Sequence, residues 1–176
     1  MSSPFFIQSK LGDLVIDIQG AATKPGTPLD AFTKKTSGPG WNNQLWAFET
    51  SSFEGCYLLQ NPASSLVIDI EGASTKPGTA LDAYTLKKVG PPPLETNASN
   101  QLWTFLPSPV PGYYFIQSSM ANLVIDVEGA STKPGTHLDA FTQKAGSPAN
   151  QLWTFIDEKG NTVTPPPPFT PPPPPK

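Results

Sequence analysis

Apolar and polar positions along this chain alternate in short runs and never hold the 3.6-residue spacing of an amphipathic helix for more than a turn. Runs of four or five residues rich in Val, Ile, Leu and aromatics, cut by Gly, Pro, Asn and Asp, predict strands. In the first fifty residues they lie at 5–9, 14–18, 29–33 and 45–49. Their connections carry turn chemistry. Gly12-Asp13 supplies a tight turn, and Pro25-Gly26 fits the middle of a type II turn, where glycine takes the positive φ. The same four runs return at 57–60, 66–70, 81–85 and 102–106, and again at 113–117, 123–127, 138–142 and 152–156. Twelve short strands are therefore expected.

The runs recur because the sequence itself recurs. A block reading Leu-Val-Ile-Asp-(Ile/Val)-(Gln/Glu)-Gly-Ala-(Ala/Ser)-Thr-Lys-Pro-Gly-Thr-x-Leu-Asp-Ala-(Phe/Tyr)-Thr begins at Leu14, Leu66 and Leu123. Each copy is followed by Asn-Gln-Leu-Trp, at Asn43, Asn100 and Asn150, and then by Phe48, Phe105 and Phe155. A unit of roughly fifty residues written three times is one supersecondary motif repeated. Alone it would leave strand edges and an apolar face uncovered; three around an axis close a barrel and share one core. The fold class expected is all-β, a β-trefoil of three four-stranded repeats with pseudo-threefold symmetry. Its domain would cover 1–160, with repeats near 4–51, 52–108 and 109–158, and residues 161–176 would form a Pro-rich tail or linker.

Composition narrows the classes of function. The chain of 176 residues has a formal charge of −3, and all of its 11 basic residues are lysines. Nucleic-acid binding calls for many phosphate-neutralising side chains, usually with arginine forks, so that class is set aside. Membrane insertion is set aside too, since the longest apolar runs are far too short to span a bilayer. The start of the chain lacks a basic stretch followed by a long apolar run, and Cys56 stands alone, without a disulfide partner. The expected location is the cytoplasm, or outside the cell by a non-classical route. Cys56 reads as a small apolar filler on a strand.

The pattern (Val/Ile)-x-Asp-(Ile/Val)…Gly…Asn-Gln-x-Trp, present in all three units over about residues 4–158, resembles the ricin B-chain type lectins. That resemblance implies a β-trefoil with up to three shallow sugar sites, one per unit. One departure stands out. Many members of the family carry cysteines where this chain has Val15, Val67 and Val124, so here each unit has to be held by packing alone.

The candidate site residues follow unit by unit. Asp17, Asp69 and Asp126 interrupt apolar strands, a poor place for a carboxylate without partners. Such a group either accepts hydrogen bonds from nearby amides and locks the unit, or accepts from adjacent sugar hydroxyls, as the resemblance implies. Phe32, Tyr84 and Phe141 match the ring that stacks on the apolar face of the sugar in that family. Of the amide pairs Asn43-Gln44, Asn100-Gln101 and Asn150-Gln151, the resemblance gives the asparagine to the sugar and the glutamine to support. Asp30, Asp82 and Asp139 lie two residues before each ring, on the same strand face, and are expected as second contacts. The leucine and tryptophan after each amide pair belong to the core. The distance from strand aspartate to asparagine is 26, 31 and 24 residues, so three sites of unequal strength are expected. Trp41 would add a contact to the first, and Pro91-Pro92-Pro93 a rim to the second.

Other functions fit less well. Paired carboxylates such as Asp17 and Asp30 suggest a glycosidase, but three near-identical shallow sites bind substrate and transition state alike. His137 is the single histidine and has no counterpart in the other units. No nucleophile elbow and no His/Cys metal cluster is present in the sequence, so neither catalytic residues, cofactor nor metal is expected. The leading reading is a lectin for galactose- or N-acetylgalactosamine-type glycans on glycoproteins and glycolipids, able to agglutinate cells by multivalency, with a homodimer among the expected partners. The alternatives are a protein-interaction scaffold, or a carbohydrate-binding module that targets a separate catalytic domain. The tail, with nine prolines in its last twelve residues, reads as a polyproline II spacer whose Pro171-x-x-Pro174-x-Lys176 spacing matches proline-recognition ligands.

Overall fold

Four strands form in each unit because each β-branched run ends at a glycine or proline turn that reverses the chain. A computed structural model describes residues 3–38, 40–89 and 96–168. In the first unit these strands are β1 (Phe5–Ser9), β2 (Val15–Ile18), β3 (Thr27–Phe32) and β4 (Ala47–Thr50). The second holds β5 (Tyr57–Gln60), β6 (Val67–Ile70), β7 (Thr79–Tyr84) and β10 (Trp103–Pro107), and the third β11 (Tyr114–Ser118), β12 (Leu123–Val127), β13 (Thr136–Thr142) and β14 (Trp153–Asp157). A two-stranded ribbon, β8 (Lys88–Val89) with β9 (Thr96–Asn97), decorates the longest loop.

The units join at both ends. β4 pairs with β5, β10 with β11, and β14 returns to β1, so consecutive units share antiparallel ladders around the barrel. At the other end the hairpins β2–β3, β6–β7 and β12–β13 meet, with β3, β7 and β13 pairing with one another in a triangle. This is the expected all-β trefoil. Its strand faces follow the two-residue period. In β2, Ile16 and Ile18 enter the core while Val15 and Asp17 face outward.

Inside, Trp46, Trp103 and Trp153 are fully buried, each donating its indole N–H to the carbonyl of Ile16, Ile68 or Ile125 at 2.9–3.1 Å. The phenylalanine two residues on closes the barrel floor. The rings of Phe48, Phe105 and Phe155 lie 5.0, 5.2 and 5.4 Å apart, tilted or edge to face, the geometry that aromatic quadrupoles favour. Outside, small apolar clusters replace the absent cysteines: Phe6, Val15 and Leu45; Leu58, Val67 and Leu102; Phe115, Val124 and Leu152. No disulfide is formed at these places: apolar contacts stand there instead, and they are not all that holds each unit, since a buried aspartate ties its segments together by hydrogen bonds.

Several details differ from the sequence expectation. The Asn-Gln pairs lie in short 3-10 turns (Trp41–Gln44, Ser99–Gln101, Ala149–Gln151), and the last strands begin at Ala47, Trp103 and Trp153, one or two residues later than the expected Leu45, Leu102 and Leu152. The third strand begins earlier than expected, because Thr27, Thr79 and Thr136 extend it to pair with neighbouring units. Cys56 lies just before β5, partly buried against Leu58, Val67 and Leu102. The first part of the Pro-rich segment follows the barrel instead of standing free. The Val163 N–H donates to the Phe155 carbonyl at 2.8 Å, Pro165 is buried, and the Tyr57 hydroxyl donates to the Pro167 carbonyl at 3.3 Å. The expected Pro171-x-x-Pro174-x-Lys176 ligand and the Pro91-Pro92-Pro93 rim lie outside the described residues.

Because the three floor rings fill one another's space, Phe105→Ala should open a cavity and cost about 3–5 kcal/mol. Urea unfolding measures this. Phe53→Ala, at a ring that is 45% exposed, should stay within about 0.5 kcal/mol of the parent.

Candidate functional site

On the outer face of each unit one carboxylate gathers three side chains. Asp17 Oδ1 accepts from Asn43 Nδ2 at 2.6 Å, and its Oδ2 accepts from Gln44 Nε2 at 2.7 Å and Lys35 Nζ at 3.0 Å. Asp69 repeats this with Asn100 at 2.8 Å, Gln101 at 2.7 Å and Lys87 at 2.6 Å. Asp126 does so with Asn150 at 2.8 Å, Gln151 at 2.7 Å and Lys144 at 2.7 Å. The aspartates are 1–3% exposed at the side chain while their lysines are 33–41% exposed. A buried carboxylate is tolerable only when its charge is paired and its lone pairs filled, which these donors achieve.

The amides differ in what they have left. Gln44 also donates to the Thr33 carbonyl at 3.0 Å and accepts from the Lys35 backbone N–H at 2.8 Å, so both its donors and its oxygen are engaged. Gln101 and Gln151 are bonded in the same way. Asn43 spends its second donor on the Ile18 carbonyl at 2.7 Å, and its Oδ1 accepts from Lys35 Nζ at 3.1 Å. Each glutamine thus ties the loop after the ring to the carboxylate, and each asparagine ties the 3-10 turn to the end of the aspartate strand. The loops of unequal length between ring and asparagine are pinned at both ends.

The rings stand beside this hub. Phe32 lies opposite Val15 on the paired strand and is 36% exposed; Tyr84 and Phe141 are half-buried in the matching places. The same lysines reach over them, with Nζ at 5.5 Å from the Phe32 ring centroid, 4.3 Å from Tyr84 and 4.9 Å from Phe141. Each lysine therefore joins carboxylate to ring through an ion pair and a cation–π contact. Sequence reasoning missed Lys35, Lys87 and Lys144. The signal was present: Thr-x-Lys follows every ring, 18 residues after every strand aspartate.

The second carboxylates, Asp30, Asp82 and Asp139, sit directly opposite the first across the hairpins, Asp17↔Asp30, Asp69↔Asp82 and Asp126↔Asp139. In each, one oxygen is buried without a hydrogen-bond partner. Burial, and then the facing aspartate, push all three up to about 6 from an ordinary 3.8. Burial also raises Asp69, against the pull of Lys87 and the amides.

Every site is shared between units. The Gly26 N–H donates to the Ala83 carbonyl at 2.9 Å, which sets the first unit's Lys-Pro-Gly-Thr loop against Asp82 and Tyr84. Gly78 makes the same bond to Ala140 beside Phe141, and Gly135 to Ala31, next to Phe32 in sequence. These glycines have φ of 82–86°, as the type II turn needs, so a side chain there would strain the wall of the next unit's site. The pairing of β3, β7 and β13 also sets a foreign residue opposite each second carboxylate: His137 opposite Asp30, Pro28 opposite Asp82, Ala80 opposite Asp139.

The raised carboxyls give a pH dependence whose sign is fixed. A folded value near 6 above an unfolded value near 3.8 favours folding fully below pH 3.8 and loses that contribution as the pH rises through 6. The ceiling for one such group is about 3 kcal/mol. Asp82→Asn, which keeps the shape and removes the charge, should raise the Tm at pH 7.5 and leave it little changed at pH 4. Thermal melts of parent and variant across that range check it.

Comparison with known proteins agrees with the trefoil fold. Residues 99–164 match the family model described as ricin-type beta-trefoil lectin domain-like. No curated protein matches the sequence. Among solved structures, the designed threefold-symmetric protein ThreeFoil is similar at 25% identity and a TM-score of 0.73, with 89% of this chain and 99% of that one covered. The exo-beta-1,3-galactanase 1,3Gal43A from Clostridium thermocellum aligns at 22% identity and 0.74 over 89% of this chain, which spans only 30% of the enzyme. The Macrolepiota procera ricin B-like lectin, solved with lactose, aligns at 22% identity and 0.66, covering 89% and 98%. In its three repeats and its closed barrel the chain is a β-trefoil, and its third unit carries the ricin-type lectin-like signature.

Proposed function

We propose that this chain is a carbohydrate-binding lectin with three sites, one on the outer face of each unit, for galactose- or N-acetylgalactosamine-type glycans. The observation that carries the reading is the threefold recurrence of an accessible ring, a lysine ammonium and an aspartate–asparagine pair within one patch. A ring covers the C–H face of a hexose, the ammonium donates to hydroxyls, and the carboxylate and asparagine oxygens accept from them. The carboxylate already holds three internal donors, so a sugar hydroxyl takes its remaining lone pair or displaces the lysine. The lactose complex of the Macrolepiota lectin and the exo-beta-1,3-galactanase of Clostridium thermocellum support a galactose preference.

No step of bond cleavage is proposed. The two carboxylates of each site face each other across a hairpin, and one of them is tied down by amides and a lysine. That arrangement binds rather than distorts. A single shallow site holds a monosaccharide at about millimolar affinity, near −4 kcal/mol. Three sites on different faces raise the apparent affinity for cell-surface glycoproteins and glycolipids by avidity. The galactanase, in which this chain's fold spans under a third of the length, favours a second reading, a module that delivers a separate catalytic domain to its polymer.

The rings offer the test, since they are only partly buried and their loss spares the hydrogen bonds of the hub. Phe32→Ala, Tyr84→Ala and Phe141→Ala should each remove part of the methyl galactoside binding seen by calorimetry, in unequal shares, with little change in Tm. Full binding in all three, or in the triple variant, would end the lectin reading.

A further inference from the structure

The first unit differs from the others just beyond its lysine. A cleft of about 180 Å³ lies there, lined by Phe6, Lys34, Lys35, Thr36, Trp41 and Glu158. Lys35 is its shared wall with the first site, since its Nζ bonds Asp17 and Asn43 and reaches over Phe32. We propose that this cleft is a second saccharide subsite, so that the first site takes two adjoining sugar residues of a glycan where the other two sites take one. The inference rests on the sugar-binding reading above and extends its first site.

The lining is what a sugar ring needs. Trp41 offers an indole that is only partly buried, at 6.4 Å from the Phe6 ring and tilted 40° to it. Gly40, at φ 80°, caps the turn that starts at Trp41, whose side chain packs on Phe6, Val15 and Leu45 and lines the cleft. Lys34 lies over Phe6 with Nζ at 4.6 Å from the centroid, which fixes an ammonium at the cleft. Lysines supply donors, Glu158 an acceptor and Thr36 both. This mixture selects a neutral polyhydroxylated ligand: an anionic sugar meets Glu158, a cationic one meets two lysines. The volume matches roughly one hexose.

Pseudosymmetry shows that the feature is local. The positions of Phe6, Lys34 and Trp41 are held by Leu58, Leu86 and Ala98 in the second unit, and by Phe115, Gln143 and Pro148 in the third. Neither set combines an indole with a cation.

The test compares methyl galactoside with a galactose-containing disaccharide, lactose, by calorimetry and tryptophan fluorescence on the full chain. One of three sites should bind the disaccharide about tenfold tighter than the monosaccharide and change the Trp41 emission. Trp41→Ala should abolish that gain, so that the two sugars bind about equally at every site; Lys34→Met should weaken it, and Trp41→Phe should keep part of it. Equal affinity for both sugars at every site, or a gain that survives Trp41→Ala and Lys34→Met, would overturn the subsite while leaving the lectin reading standing. Binding of neither sugar would overturn both.

Discussion

A carboxylate buried beside an amide pair and a lysine is the constraint on which each unit depends. Strand β2, β6 or β12 brings the aspartate to the outer face, and nothing in that strand can neutralise it. The neutralising groups come from the loop after the ring and from the turn before the tryptophan, segments 18 and about 25–30 residues further along. Folding therefore has to bring three separated segments to one point, and the charge is paired only when it does. Removing one partner of such an arrangement leaves a buried charge exposed to the full cost of desolvation, which makes the hub cooperative. The tryptophan two residues beyond the glutamine is set by the same bonds, so the outer hub and the inner core fix each other.

The interaction that locks the unit also prepares its surface. The lysine that pairs with the aspartate lies over the aromatic ring, and in the first unit it also donates to the oxygen of the asparagine. A site so built is preorganised, because its polar groups are held by bonds already needed for stability. It is also composite: the glycine loop of the preceding unit walls each ring, and the neighbouring hairpin strand sets His137, Pro28 or Ala80 against the second carboxylate. Those three residue types, with loops of different length, give the three places different surroundings on a backbone that is nearly symmetric. Two carboxyls facing each other across every hairpin, one without a partner for an oxygen, hold back some stability at neutral pH as the cost of that arrangement.

Much of this was legible in the sequence, for a physical reason. Repetition aligned the chain with itself, so Asp17, Asp69 and Asp126 stood out as charges in apolar strands, and the buried tryptophans and the trefoil followed from period and spacing. Less legible were contacts that join distant residues without a period to announce them. Lys35, Lys87 and Lys144 looked like ordinary surface lysines until the loops folded back. The 3-10 turns that hold the asparagines and glutamines were not legible either, since turns of three or four residues are too short to leave a periodicity. The crossing of each glycine loop into the next unit's site depends on how β3, β7 and β13 meet, which one unit's sequence does not contain. The docking of Val163 and Pro165 on the barrel was hidden by a composition that reads as a free rod.

The most direct measurement is a 15N-edited NMR spectrum of the side-chain amides with and without methyl galactoside. The account predicts that the NH2 groups of Asn43, Asn100, Asn150 and their neighbouring glutamines exchange slowly with solvent, being bonded to the aspartates, and that the asparagine signals move in unequal steps as sugar is added. Fast exchange of those amides, or signals unmoved by tens of millimolar sugar while the protein stays folded, would contradict it.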